Sequence, residues 1–187
     1  MSDFQPFEME RYMSLYEMTV KYNMSESGVH PMLLRELLAL EEGSLEKMLE
    51  LELNYSHANG NPELRENIAA MYGGATRDNV LVTVGGIEAN FNALTTILTA
   101  GDEMVLMLPN YMQIWGVAKN HGFRIKTFSL LQEKNWAPDL DELESIVSKD
   151  TKLIAICNPN NPTGYILSES EMDTIVNVAD RVGAWIL

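Results

Sequence analysis

The chain has 187 residues, 46% hydrophobic and 21% charged, which is enough apolar material for one good core or for one domain plus part of another. Thirteen lysines and arginines against 27 aspartates and glutamates leave a formal net charge of −14, so the basic footprint that nucleic acid or an anionic membrane requires is missing. The one cysteine, Cys157, excludes an intrachain disulfide and fits a reducing compartment.

Met1 to Tyr12 carries acidic residues rather than an apolar signal-peptide core, and no apolar run is long enough to span a bilayer; a cytoplasmic protein is expected. Met9, Tyr12, Met13, Tyr16 and Val20 recur at helical spacing and predict an amphipathic helix. Asn23 to Pro31 is a polar connection broken by Gly28 and Pro31, followed by helices over about Met32–Leu40 and Leu45–Leu51. Asn61 caps a helix that starts at Pro62 and aligns Leu64, Ile68 and Met71. From there strands and helices alternate. Strands are predicted at Asn79–Val84, Glu103–Leu108, Arg124–Phe128, Lys152–Ile156 and Ala184–Leu187. Helices are predicted at Glu88–Thr99, Tyr111–Asn120, Asp139 to about Val147, and from Ser168, with Met172, Ile175, Val176 and Ala179 on one face. Asp139 with Glu142, and Ser168 with Glu171, have the spacing of capping boxes. The fold class is α/β, a mostly parallel sheet flanked by helices. Because the sequence stops at Leu187 inside an apolar run, the chain is expected to be part of a longer protein.

Three turns stand where strands are expected to end, which is where such sheets bind ligands. Thr83 to Ala89 (TVGGIEA) runs through two glycines into a helix, whose first amides and dipole suit a phosphate or carboxylate; a tight turn without a ligand is the plainer alternative. The dinucleotide spacing G-x-G-x-x-G is absent. Leu108-Pro109-Asn110-Tyr111 opens a helix with a tyrosine, either a stacking platform for a flat heterocycle or a ring sealing the helix end. Asn158 to Gly164 (NPNNPTG) is a rigid polar loop in which two X-Pro units hold the backbone extended, so that it can aim an asparagine amide. His30, His57 and His121 are scattered and no metal site is expected; Cys157 lacks a base partner and reads as a small strand residue.

The NPNNPTG run resembles the signature of class I/II, fold type I, pyridoxal-phosphate aminotransferases. The segment Tyr55 to Gly60 followed by Leu64-Arg65 resembles the family's Y-x-x-x-x-G…LR, TVGGIEA resembles its phosphate-cup turn, and Pro109-Asn110-Tyr111 resembles its P-x-Y ring-stacking turn. The resemblance implies pyridoxal 5'-phosphate as cofactor and transfer of an amino group between an amino acid and a keto acid. It implies that Gly85, Gly86 and Ile87 form the phosphate turn, with the amides of Gly86 and Ile87 as donors. Tyr111 would stack on the pyridine ring, and Asn161 would bond its phenolic oxygen. Tyr55 would reach the phosphate of a neighbouring subunit in a homodimer, and Ser27 and Gly28 would lie near the substrate. Residues 1–45 would then be the N-terminal segment of a small domain with its substrate loop, and 46–187 the first part of the cofactor domain.

Two departures stand out. Relatives place hydroxyl or amide side chains in the phosphate cup where this chain has Gly86 and Ile87. No catalytic residue is expected in this chain either, because no lysine has the context of the family's Schiff-base lysine, which is expected beyond Leu187; these residues alone are expected to be inactive. Two rivals remain. One is a lyase or cyclase on the same fold, since Ser25–His30 (SESGVH) resembles a group that includes a capreomycidine synthase-like cyclase. The other is a non-catalytic aminotransferase-like module for binding or dimerisation.

Overall fold

Strands form where β-branched and apolar residues run without a break, and the longest such run becomes the centre of the sheet. A computed structural model describes residues 4–25 and 27–187; Glu26, within the Ser25–His30 run, and Met1–Asp3 lie outside the described residues. By their internal contacts the residues divide into two compact units, Met1–Ser25 with Gly85–Leu187, and Glu26–Val84.

The larger unit holds α1 (Glu8–Tyr16), α5 (Gly85–Ile97), β1 (Glu103–Leu108), α6 (Gln113–Asn120), β2 (Arg124–Leu131), β3 (Ala137–Pro138), α7 (Leu140–Ile146), β4 (Thr151–Ala155), α8 (Glu169–Val182) and β5 (Trp185–Ile186). The sheet order is β3-β2-β1-β4-β5, parallel except for the antiparallel edge strand β3. Side chains alternate across a strand, so β1 feeds two cores. Val105 and Met107 pack with Phe128, Ile154, Leu143, Ile175 and Val178 beneath α7 and α8. Met104 and Leu106 pack with Leu153, Leu94, Leu98, Ile114 and Ala118 beneath α5 and α6. Both faces are covered, which explains why β1 reads as a continuous apolar run.

The caps tie helices to strands. Ser168 and Glu171 make the full reciprocal box at α8, with Ser168 N donating to Glu171 Oε2 at 2.7 Å. At α7 only half of the predicted box forms. Asp139 Oδ1 accepts from Glu142 N, but the Glu142 carboxylate turns away to accept from Ser129 N at 2.7 Å, pinning the helix to β2. On α8 the buried face carries Val178 with Ile175 and Ala179, while the predicted Val176 is exposed.

At the amino edge of the sheet Glu103 is buried and accepts from Thr151 Oγ1 at 2.7 Å, Ser148 Oγ at 3.2 Å and Lys126 Nζ at 3.0 Å. Burial pushes its carboxyl up, and the bonds from Thr151, Lys126 and Ser148 outweigh burial and hold it below the ordinary range. Beside it, Asp102 pairs with Lys152 Nζ at 2.7 Å and accepts from Thr99 N at 2.8 Å; Lys152 first and Thr99 second lower its carboxyl to about 2.

The smaller unit holds α2 (Leu34–Leu38), α3 (Ser44–Leu49), α4 (Pro62–Ala69) and a 3-10 turn at Arg77–Asn79. Asn61 caps α4 as its sequence predicts, accepting from Glu63 N and Leu64 N. Its expected apolar face is poorly covered: Leu64 and Met71 are exposed, and Met71 lies past the helix end. The predicted strand Asn79–Val84 is corrected here, because no ladder forms along it. Its backbone is engaged by other groups: Arg65 Nε donates to Val80 O at 2.8 Å, and Val82 N donates to Asn59 O at 3.1 Å. The same contacts explain two motif residues. Arg65 also donates to Arg77 O, so it is a brace between α4 and the 3-10 turn. Gly60, at φ +100, faces Val82 so closely that an added Cβ would sit 2.5 Å from the valine Cβ.

Two outcomes are expected. Gly60→Ala destabilises the chain by roughly 1–3 kcal/mol in denaturant titrations, because overpacking is added to an unfavourable φ; an unchanged midpoint would refute the close approach. For Asp102 the folded pKa is depressed, so its stabilisation is complete above the ordinary value of about 4 and is lost as pH falls toward the folded value. Urea midpoints of the chain and of Asp102→Asn should therefore differ most above about pH 4 and converge toward pH 2.

Candidate functional site

The sheet itself selects where a ligand binds. From β1 the chain crosses through α6 to β2, and from β4 it crosses through α8 to β5 on the opposite side and the opposite face. The carboxyl ends of β1 and β4 therefore border a topological switch point, where open α/β sheets form their crevice. Two of the three turns singled out in the sequence lie there, Leu108 to Tyr111 after β1 and Asn158 to Gly164 after β4.

Asn160 joins them. Its Nδ2 donates to Pro109 O at 3.0 Å, while its Oδ1 accepts from Thr163 N at 3.1 Å and Thr163 Oγ1 at 2.7 Å. Its backbone exchanges bonds with Tyr165 O and Gly164 N, and the residue is buried. Asn158 Oδ1 accepts from Leu167 N, and Cys157 Sγ meets Asn161 N at 3.3 Å and Pro159 O at 3.4 Å, so the cysteine is a structural pin in the loop. With the backbone held on both sides, Asn161 is turned into a cleft.

That cleft, about 650 Å³, is lined by Tyr111, Asn161, Pro162, Trp115, Met9 and Ser129, together with Leu108, Pro109, Asn110, Met112 and Leu130. The size and apolar lining suit a small flat molecule held by a few polar groups. The Tyr111 ring meets Phe7 edge-on at 5.5 Å between centroids and 68° between planes, and its hydroxyl donates to Glu10 Oε1 at 3.1 Å. Partial burial first and Glu10 second raise its phenol above the ordinary range, so it stays neutral at physiological pH. Asn110 is buried, and its Nδ2 has no acceptor among the described residues. A buried amide in that state is a standing demand for an acceptor.

The third turn is the start of a helix rather than the end of a strand. Helix α5 begins at Gly85, three residues before the predicted Glu88, which puts Gly86 and Ile87 in the first turn, where amides have no preceding helical carbonyl. Gly85 has φ +73, and a Cβ built on Gly85 or Gly86 meets nothing within 4 Å, so the turn faces open space. Gln113, buried at the start of α6, donates to Ile87 O at 2.5 Å and accepts from Asn90 at 3.1 Å. It locks the first turn of α5 to the helix that follows Tyr111.

The structure thus gathers Tyr111 and Asn161 in one cleft and ties the Gly85–Ile87 turn to the element beside it. Tyr55, Ser27 and Gly28 belong to the Glu26–Val84 unit, where all three are exposed. Sequence reasoning missed Asn110, Asn160, Gln113 and Glu10. The two buried asparagines did carry a signal, since each sits in a motif next to the residue that was chosen. No group of three or more metal-ligating side chains and no helix long and apolar enough to cross a membrane occur among the described residues.

A family model described as aminotransferase class I and II matches residues 37–187. An aspartate aminotransferase from Pyrococcus horikoshii is 32% identical over 139 residues, covering 72% of this chain and 36% of that protein. Capreomycidine synthase from Streptomyces vinaceus is 32% identical over 146 residues, covering 77% of this chain and 38% of that protein. Among solved structures, a PLP-dependent aminotransferase from Streptococcus suis superposes with a TM-score of 0.91 at 28% identity, over 99% of this chain and 50% of that one. The chain spans little more than a third of the length of these curated relatives. The family's cofactor is pyridoxal 5'-phosphate, and the residues fit it: a cleft of heterocycle size with an aromatic wall, a loop amide, and a glycine turn opening a helix. The chain belongs to the class I and II aminotransferases, on the fold type I scaffold of pyridoxal-phosphate enzymes.

Proposed function

We propose that this chain supplies the cofactor-seating part of an enzyme that transfers an amino group between an amino acid and a keto acid. The observation that carries the reading is the meeting of Tyr111 and Asn161 in one cleft at the switch point of the sheet. Tyr111 would offer its face to the pyridine ring, and Asn161 would donate to the ring's phenolic oxygen. The first-turn amides of Gly86 and Ile87, behind Gly85, would hold the phosphate with the help of the α5 dipole. Tyr55 would reach the phosphate of a second subunit in a homodimer, and Ser27 and Gly28 would border the substrate. Bound there, pyridoxal 5'-phosphate supplies the electron sink for breaking a bond at the amino acid Cα.

Residues 1–45 would belong to a small domain and 46–187 to the first part of the cofactor domain, in a cytoplasmic protein. Alone, the chain would not transaminate. None of its seven lysines lines the cleft among the described residues: Lys126 is held by Glu103, Lys152 by Asp102, Lys47 by Glu41, and Lys119 lies over the Trp115 ring. A proton carrier at the reacting carbon has to come from elsewhere.

The 32% identity with capreomycidine synthase over most of this chain favours a second reading, a cyclase or lyase on the same scaffold. The cofactor cleft would serve both chemistries, so products from a substrate panel given to the full-length enzyme separate them: keto acids for transamination, cyclised or eliminated products for the alternative.

The cofactor reading is tested on the chain itself. Titration with pyridoxal 5'-phosphate should quench tryptophan fluorescence saturably, Trp115 being in the cleft wall. Asn161→Ala and Tyr111→Ala should each weaken binding about threefold to tenfold, the scale of one hydrogen bond or one aromatic contact. After borohydride reduction the intact mass should remain at 21.0 kDa. A stoichiometric adduct at one lysine would overturn the inactive-alone reading, and affinity unmoved by both substitutions would overturn the cofactor site.

A further inference from the structure

A ring that stacks on a flat ligand is useful only if its plane is fixed before the ligand arrives, because ordering it on binding costs affinity. Tyr111 lies in the turn between β1 and α6. Two contacts from a distant part of the chain restrain it. Phe7 meets it in a T-shaped contact, and Glu10 takes its hydroxyl at 3.1 Å, both from the segment around α1. That segment is itself clamped to the far end of α6. Gln5 N donates to Asn120 Oδ1 at 2.7 Å, and Asn120 Nδ2 returns a bond to Gln5 O at 3.0 Å. Between the clamp and the tyrosine, Met9 of α1 forms part of the cleft wall.

We infer that α1 is a working wall of the cleft and that Glu10 is a positioning residue, anchoring the hydroxyl end of the Tyr111 ring for stacking against the bound heterocycle. The inference rests on the cofactor reading for the identity of that heterocycle. Glu10 touches no ligand in this arrangement. It acts through the phenol alone, and the carboxylate at the hydroxyl also makes the ring more electron-rich toward an electron-poor partner.

Four variants of the chain test this: Glu10→Ala, Glu10→Gln, Tyr111→Phe and the double variant Glu10→Ala/Tyr111→Phe. Each is titrated with pyridoxal 5'-phosphate and followed by tryptophan quenching. Glu10→Ala should raise Kd about threefold to tenfold, and Glu10→Gln, which keeps an acceptor, should recover most of the loss. The double variant should bind no more weakly than Tyr111→Phe, because the two groups act through one bond. Additive losses, or a Kd unmoved by Glu10→Ala, would overturn the role while leaving the cofactor reading intact.

A ligand-free arm reads the ring directly. With ring-labelled tyrosine, the resonance that Tyr111→Phe removes should shift in Glu10→Ala and stay near its place in Glu10→Gln. An unmoved resonance in Glu10→Ala overturns the role whatever the titration gives. Absence of any quenching in the unaltered chain overturns the cofactor reading, and the stacking role with it.

Discussion

The bond from Asn160 Nδ2 to the Pro109 carbonyl joins the two loops that leave the sheet at its switch point. β1 and β4 are neighbours, so their carboxyl ends are necessarily close, but closeness of strands does not align the loops beyond them. Asn160 does that with both ends of its amide: the nitrogen reaches across to Pro109, and the oxygen gathers Thr163 within its own loop. Buried as it is, the side chain has little alternative to these partners, since leaving either end unmade costs the desolvation of that group. The presence of Tyr111 and Asn161 in the lining of one cleft follows from that constraint.

The two ends of the sheet are chemically unlike. At the amino end Glu103, Lys126, Arg124, Asp102 and Lys152 form ion pairs that are satisfied within the chain. At the carboxyl end the cleft is lined by aromatic, aliphatic, thioether and amide side chains with the Ser129 hydroxyl, and no lining residue is charged. Opposite charges that already have partners do little toward a ligand. The crevice is mostly apolar and holds no such pairs in its lining. Paired charge is thus concentrated at one end of the sheet and the open cleft at the other.

Much of this was legible because it is local. The β1 limits, Glu103 to Leu108, are those of its apolar run, and the Ser168–Glu171 box forms because both halves lie within one turn. Features that depend on a distant partner were not legible. Glu142 has the spacing to close a cap on Asp139, yet its carboxylate serves Ser129 instead, thirteen residues away. Asn79–Val84 has strand composition, but a strand is a relation between two segments, and here Arg65 and Asn59 hold its backbone. In NPNNPTG the composition marks a rigid amide-bearing loop without saying which asparagine faces inward; burial separates Asn160, the brace, from Asn161 in the cleft wall. Gly60 is part of the motif for a reason the motif does not state, the valine pressed against its Cα.

The N-terminal segment carries this argument furthest. Its amphipathic spacing predicted a helix, and α1 forms at Glu8–Tyr16, but the residues that matter to the cleft are not the ones the periodicity selects. Met9 lies on the predicted apolar stripe, whereas Phe7 precedes the helix and Glu10 sits on its polar side, where charge reads as solvation. Tyr111 lies 101 residues from Glu10 in sequence, and the Gln5–Asn120 clamp, holding the segment that leads into α1 at the end of α6, helps make the carboxylate a neighbour of the phenol. A surface carboxylate becomes part of a site when the backbone carrying it is held at two points. The restraint on the ring therefore depends on α6, the same helix whose Gln113 holds the glycine turn of α5, so one short helix holds the ring wall and the first turn of α5 together.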